Sequence, residues 1–242
     1  MGYIIFRGKG TVGSDSIVGA ANVLANVYVS KMPNHKKASM RYTEYYVKGR
    51  DGALHVDEGF ASFPYPVTLV LLKATVATRQ LVNAWADGTG KLITSDDTSK
   101  AFKATVKDEV VWTRVQANGG FYDSAQITFI CEPCMVQASE TPQVFTSSGT
   151  ITNLGTADAY PLLAIEGEGD TTVTIAGEEI TIGDMTANVP VYIDCENGYV
   201  YTATGATEMH GNIPYFPVGS TSSITLGTNA TKVTVTPHWR WV

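Results

Sequence analysis

The sequence predicts a mainly β protein with two β-sandwich-like domains, the first carrying one short α-helix. Of its 242 residues, 44% are hydrophobic and only 17% are charged, a balance typical of a folded chain. The 23 glycines supply the tight turns that many short strands require. Apolar and polar residues alternate strictly in several segments of the second half, which predicts strands with one buried face.

The first half combines strand patterns with one helical pattern. Its apolar run at Val67–Lys73 is continuous, so we expect that strand to be buried on both faces. A glycine-rich turn is predicted at Gly49–Gly52, directly after a strand. The predicted strands of this half are Tyr3–Phe6, Arg41–Val47, Val67–Lys73, Phe102–Lys107 and Ala125–Cys131.

The helix is predicted over Thr78–Ala86, with its first threonine as the N-cap. Leu81, Val82 and Trp85 then share one face, which we expect to pack against a sheet. Gly88 follows the helix, which predicts that the helix ends there with a glycine in the left-handed backbone conformation.

A domain boundary is predicted near residue 138, because Pro133 and Pro142 flank a polar stretch there. The two domains are therefore 1–137, with the helix, and 138–242.

The second domain reads almost entirely as strands. A hairpin is predicted at Val191–Cys195 and Tyr199–Ala203, joined through an Asn197-Gly198 turn. The number and spacing of the strands suggest a sandwich or jelly roll. The strictly alternating segments are Thr172–Ile175, Ser223–Leu226 and Thr231–Val235.

Charge and hydropathy disfavour two classes of partner. The net charge is −6, and the densest basic segment, Lys31–Arg41, is interrupted by Pro33 and Asn34. Sequence-specific nucleic-acid binding is therefore not expected. The longest apolar run, Val67–Leu72, is too short to span a bilayer, and the first residues lack the pattern of a signal peptide. We expect a protein made in a cytoplasm, without membrane insertion.

No cofactor or metal is expected. The glycines Gly8, Gly10 and Gly13 have dinucleotide-binding spacing, but no acidic residue follows at the required distance. Cys131 and Cys134 have zinc-ligand spacing without a second pair, since Cys195 stands alone. An odd cysteine count also disfavours a disulfide framework, so free thiols are expected.

No catalytic residues are expected either, because the four histidines are scattered and no nucleophile motif is present. The carboxylates Glu166, Glu168 and Asp170 lie beside glycines, which favours solvent-facing turns. A calcium site at these carboxylates remains an alternative, since calcium selects hard oxygen ligands.

The order of motifs in the first half resembles the distal tail protein (Dit) family of long-tailed bacteriophages. The matching segments are the Gly49-Arg50-Asp51-Gly52 turn, the helix segment Asn83-Ala84-Trp85, and the closing Phe129-Ile130-Cys131-Glu132-Pro133. The second half resembles the galectin-like sandwich, or jelly roll, that these proteins often carry. Its end, Pro237-His238-Trp239-Arg240-Trp241, departs from the Pro-Arg-Trp that the family often has there.

The resemblance implies a structural virion protein at the phage tail tip. Its first domain would close a homo-hexameric ring between the tail tube protein and a tail-tip protein, and DNA would pass through without specific binding. Its second domain would project outward toward a receptor-binding protein or a host glycan. Arg50 and Trp85 are the predicted assembly residues.

The alternative function is a carbohydrate-binding module that recognises host cell-surface glycans. Aromatic side chains of the second domain are its candidate contacts, although core packing is the other explanation for them. They are Tyr192, Tyr199, Tyr201, Trp239 and Trp241.

Overall fold

The structure is a computed structural model that describes residues 4–8, 17–18, 26–32, 37–117 and 120–242. Contacts divide the chain into two compact units, Met1–Ala138 with Val242, and Ser139–Trp241. In the described residues, strands predominate and one α-helix is present. The prediction of a mainly β chain with one short helix is confirmed.

The strands of the first unit form one large antiparallel sheet and one separate hairpin. The elements are β1 (Ile4–Gly8), β2 (Ile17–Val18), β3 (Val27–Lys31), β4 (Met40–Tyr45), β5 (Leu54–Phe60), β6 (Phe63–Leu72), α1 (Val76–Trp85), β7 (Gly88–Thr94), β8 (Asp97–Val106), β9 (Thr113–Ala117) and β10 (Gly120–Gln137). The large sheet follows the order β2-β1-β7-β8-β10-β6-β3, and β9 also pairs with β10. The hairpin consists of β4 and β5.

Three aromatic side chains fill the core of the first unit. Trp85 of α1, Phe6 of β1 and Phe129 of β10 are fully buried. Their ring centroids lie 5.1 to 6.2 Å apart in edge-to-face arrangements, a favoured geometry for aromatic rings. Val82, one helical turn before Trp85, is also fully buried. The helix therefore covers one face of the sheet.

The helix begins before the predicted Thr78. Thr75 is the N-cap, because its hydroxyl accepts a hydrogen bond from Thr78 N at 3.1 Å. The Thr78 hydroxyl in turn accepts one from Thr75 N at 2.9 Å, which completes a reciprocal capping box. Leu81 is 40% exposed, so it lies outside the buried stripe to which the sequence pattern assigned it.

Strand β6 is not buried on both faces as predicted. Its odd-numbered residues, such as Val67 and Leu69, are buried, whereas Leu72 is 42% exposed. The reason is that β6 belongs to an antiparallel sheet with only one face on the core. Strand β10 is longer than the predicted Ala125–Cys131, because it continues past Pro133 to Gln137. Its pairing with β8 shifts register between Cys131 and Met135.

The second unit contains two antiparallel sheets. Its strands are β11 (Gln143–Phe145), β12 (Gly149–Thr152), β13 (Leu162–Gly167), β14 (Gly169–Ile175), β15 (Glu178–Met185), β16 (Val191–Asp194), β17 (Tyr199–Thr202), β18 (Gly205–Ala206), β19 (His210–Gly211), β20 (Thr221–Leu226), β21 (Ala230–Thr236) and β22 (Arg240–Trp241). One sheet has the order β11-β21-β13-β16-β17-β18, and the other β12-β20-β14-β15-β19.

Both sheets contribute side chains to a single buried cluster, as in a β-sandwich. The alternating segments bury their apolar residues as predicted, for example Val173 on β14 and Val235 on β21. The hairpin of β16 and β17 is also present. Its turn is held by Asp194, whose carboxylate accepts hydrogen bonds from Glu196 N and Asn197 N. The galectin-like assignment stays a prediction.

Candidate functional site

The β4–β5 hairpin exposes an unusual amount of apolar surface. Among the described strands, β4 and β5 pair only with each other. An isolated two-stranded hairpin is at best marginally stable in water. Large apolar side chains on and beside the hairpin are nevertheless 41% to 78% exposed. They are Met40, Tyr42, Tyr45, Tyr46, Val47, Leu54 and Val56.

The two faces of the hairpin differ in chemistry. Tyr45 lies opposite Leu54, and Val56 lies two residues further along β5 on the same side. We call these three residues the apolar hairpin face. They are 56%, 41% and 51% exposed, so this face offers a continuous apolar strip to solvent.

The opposite hairpin face is polar and internally bonded. The rings of Tyr42 and His55 lie 5.1 Å apart, edge to face. Glu44 lies 3.7 Å from His55 Nδ1 and accepts a hydrogen bond from the Tyr46 hydroxyl at 2.8 Å. This bond raises the pKa of Tyr46 above its ordinary value. The polar groups of this face thus bond to one another, whereas the side chains of the apolar hairpin face are each about half exposed.

Arg50 lies in the turn that joins the two hairpin strands. Its backbone N–H donates to Val47 O at 3.1 Å. Gly49 and Gly52 have φ angles of +84° and +77°, a region that favours glycine. Arg50 is exposed, so the turn presents its guanidinium at the end of the hairpin.

Trp85, the other predicted assembly residue, is fully buried in the core of the first unit. Its side chain therefore has no surface with which to meet another chain. Any effect of Trp85 on assembly passes through the position of α1.

An ion-pair network holds α1 against β9 and β10. Asp123 of β10 has a side chain only 3% exposed, and it accepts hydrogen bonds from Arg79 Nε at 2.7 Å and Arg114 Nε at 3.1 Å. Burial alone would raise the pKa of Asp123, but the bonds from Arg114 and Arg79 outweigh burial and hold it below its ordinary value of 3.8. The network joins three elements at one point.

Two of the candidate glycan contacts form a stacked pair on the outer face of a sheet. Tyr192 of β16 and Tyr201 of β17 have ring centroids 5.3 Å apart and planes 17° from parallel. Tyr201 is 38% exposed and Tyr199 is 66% exposed. The residue opposite Tyr192 on its other side is the small Ala164. Aromatic surface is therefore accessible at this edge of the sandwich.

The two tryptophans lie elsewhere. Trp239 is 2% exposed and packs against Phe216, with ring centroids 5.8 Å apart. Trp241 is partly buried against the same core. Trp239 is thus a core residue of the second unit, and the stacked tyrosines are the accessible part of the predicted aromatic set.

The remaining sequence motifs form no site in the described residues. Gly10 and Gly13 of the glycine motif lie outside the described residues, as do residues 33–36 of the basic segment and Tyr3 of the first predicted strand. Burial raises the pKa of the Cys131 and Cys195 thiols to about 12.

The carboxylate cluster is also dispersed. Glu166 pairs with Lys232 at 2.6 Å, and Asp170 accepts a hydrogen bond from Asp184 N at 3.3 Å. Within the described ranges, no three His, Cys, Asp or Glu side chains are placed to hold a metal ion. In the same residues no helix is both long and apolar enough to cross a membrane.

Sequence patterns did not reveal the apolar hairpin face or the Asp123 network. Tyr45 lies in the predicted strand Arg41–Val47, but no strand was predicted over Leu54 and Val56, where the structure has β5. A local pattern also does not show whether another element covers a strand face. Arg79 and Asp123 are 44 residues apart, so only the fold brings them together.

Comparison with known proteins bears on the fold. No family profile and no curated protein matches the sequence. The structure is similar to the crystal structure of the Dit protein of phage SPP1, described as a paradigm of the hub adsorption apparatus in phages that infect Gram-positive bacteria. The TM-score is 0.69 at 12% identity, over 98% of this chain and 99% of that chain.

A second similar structure is the phage P2 baseplate in its activated conformation with calcium. The TM-score is 0.51 at 9% identity, over 97% of both chains. The predicted resemblance to Dit is therefore confirmed at the level of the fold, along nearly the whole chain.

The Asp123 network predicts an acid-dependent loss of stability. Because the folded pKa of Asp123 lies below 3.8, its charge stabilises the fold fully at higher pH and progressively less as the pH falls through the folded value. Asp123→Asn should lower the free energy of unfolding at pH 7 by about 1–3 kcal/mol. The difference in the free energy of unfolding between this variant and the wild type should shrink below pH 3.8. Urea denaturation measures it. Asp57→Asn, at an exposed carboxylate, is the control. It should leave the free energy of unfolding and its pH dependence unchanged.

Proposed function

We propose that this protein is a structural hub of a phage tail tip. The observation that carries the proposal is the Dit-type fold, which extends over nearly the full length of this chain and of SPP1 Dit. The exposed apolar hairpin supports it independently, because it is suited to contact between chains. No catalytic step is part of this function.

Self-association through the hairpin follows from its physical chemistry. Three neighbouring apolar side chains on one face are each about half exposed. A second chain that covered them would remove apolar surface from water, at roughly 25 cal/mol per Å². The same contact would stabilise a hairpin that is marginal by itself.

In this proposal, copies of the chain join head to tail and close into a ring of six. Each copy contacts its neighbours through two different surfaces, and a rotation that closes gives a ring rather than a filament. The ring joins the tail tube protein on one side to a tail-tip protein on the other, and DNA passes through its centre. As part of the virion, the second unit is then available to a receptor-binding protein or to the host surface.

A second candidate function belongs to the second unit. The stacked, partly exposed Tyr192 and Tyr201 favour contact with a host cell-surface glycan, whose ring carbons can pack on an aromatic face. Tyr199 adds a nearby exposed ring with a hydroxyl group. This candidate is compatible with the hub, because it uses a different part of the chain.

A charge on the apolar hairpin face should disrupt the ring. Val56→Lys places an ammonium group where the proposed contact excludes water, and should weaken association at least tenfold. Rings are measured by electron microscopy and analytical ultracentrifugation, with the tail partners added if the protein alone stays monomeric. Val144→Lys, at a residue 58% exposed in the second unit, is the matched control. A wild-type protein that never forms rings, with or without partners, refutes the hub.

Arg50 is proposed to pair with a carboxylate of a neighbouring copy. Arg50→Ala should therefore weaken ring assembly while leaving the thermal midpoint of the isolated subunit unchanged, because the side chain is exposed at the hairpin turn. Sedimentation and thermal melting of the same samples measure both quantities. An equal loss of subunit stability would show that Arg50 acts within the monomer.

The glycan candidate is tested on a glycan array with the full chain. Specific binding that is lost in Tyr201→Ala but retained in Tyr46→Ala would support it. Tyr46 is 78% exposed in the first unit, so it controls for nonspecific loss of a surface aromatic. Absence of binding to any bacterial surface glycan would leave the second unit with a protein-contact role only.

A further inference from the structure

We propose that the apolar hairpin face of one copy docks on a defined surface of the next copy, at the start of α1 and the β9–β10 hairpin. We call this the acceptor surface, and its residues are Val76, Arg79, Arg114 and Phe121. The inference rests on the proposed ring, and it names the partner surface that a ring requires.

A ring of identical chains needs two different complementary surfaces on each copy. The apolar hairpin face supplies one. If two such faces met each other instead, the contact would be symmetric and would end at a dimer. The partner of the hairpin must therefore be sought elsewhere on the same chain.

Helix α1 runs alongside β9, as two side-chain contacts establish. The Trp112 indole, just before β9, donates to Asn83 Oδ1 at 3.0 Å. One helical turn earlier, Arg79 reaches Asp123, which lies opposite Arg114 of β9. Moving toward the start of the helix thus corresponds to moving along β9 away from Trp112.

The next positions in that direction are Val76 on the helix and Phe121 on β10. Val76 precedes Arg79 by three residues and so shares its helix face. Phe121 precedes Asp123 by two residues and so shares its sheet face. Phe121, on the core-facing side of β10, is 62% exposed, and Val76, in the first turn of α1, is 66% exposed. Both are exposed apolar side chains next to the residues of the Arg79–Asp123 pair.

The acceptor surface contains three bonded charged groups with an excess of positive charge. The two guanidinium groups of Arg79 and Arg114 face one carboxylate, Asp123, so one positive charge is in excess. Arg114 remains 58% exposed while bonded. A partner with apolar residues and a nearby carboxylate therefore fits this surface.

The apolar hairpin face, together with the adjacent Glu58, has that composition. Glu58 follows Val56 by two residues on the same side of β5, is exposed, and accepts a hydrogen bond from the Thr43 hydroxyl. Docking would set Leu54 and Val56 against Phe121 and Val76, with Glu58 toward the arginine pair. Both apolar strips would be covered, and the excess charge would be balanced.

Disulfide trapping tests this pairing. The double variant Val56→Cys, Phe121→Cys is oxidised under ring-forming conditions and run on a non-reducing denaturing gel. The three native cysteines are buried, and Cys131 and Cys195 have raised thiol pKa values, so they should not react. The expected result is a ladder of covalent species beyond the dimer, with most of the chain leaving the monomer band.

The control pair is Val56→Cys with Val111→Cys, since Val111 is 60% exposed in the same unit and lines the surface depression on the other side of β9 and β10. It should give no ladder. Rings that form without the ladder, or with trapping to Val111→Cys instead, would overturn the acceptor surface and leave the hub intact. Trapping that stops at dimers through Val56→Cys alone would show hairpin-to-hairpin contact and also overturn it. A protein that forms no ring would overturn both proposals.

Discussion

The packing of Trp85 against Phe6 and Phe129 is the interaction on which the first unit depends. A sheet with one apolar face needs a cover, and α1 covers part of that face, because Val82 and Trp85 are both fully buried. With the helix fixed by its aromatic anchor, Arg79 is placed to reach Asp123 at 2.7 Å. The buried carboxylate then orients β9 through Arg114. Core packing at Trp85 and the ion pair at Arg79 therefore hold two successive parts of the helix against the sheet.

Some apolar residues of the first unit remain outside this packing. The β4–β5 hairpin has no strand partner other than itself in the described part of the chain, and its apolar face is not absorbed by the core. Near the start of α1, Val76 and Phe121 are also exposed apolar residues. The proposed head-to-tail contact needs two different exposed surfaces on each copy, and these two are the candidates. In the second unit, the two sheets bury a shared apolar cluster, and the stacked Tyr192 and Tyr201 lie on the outer face of one sheet.

Local patterns predicted the helix and ten of the strands, missed several boundaries, and gave no prediction at other strands such as β3, β5, β7, β13 and β15. The alternating segments of the second unit were correct because alternation directly records which side chains face a core. The predicted N-cap, Thr78, was wrong by three residues. Both threonines can cap a helix, and only the hydrogen bonds in the structure show that Thr75 is the N-cap. The double-sided burial of β6 was wrong because an apolar run does not say whether a second layer covers its outer face.

The sequence by itself determined the mainly β character, the single helix, the hairpin at Asn197-Gly198 and the resemblance to the Dit fold, because each depends on neighbouring residues or on their order. Tertiary structure decided the rest. It placed Trp85 and Trp239 in cores, joined Asp123 to two distant arginines, and left one face of a hairpin exposed. Burial and long-range pairing depend on which surfaces meet, and that information belongs to the folded chain as a whole.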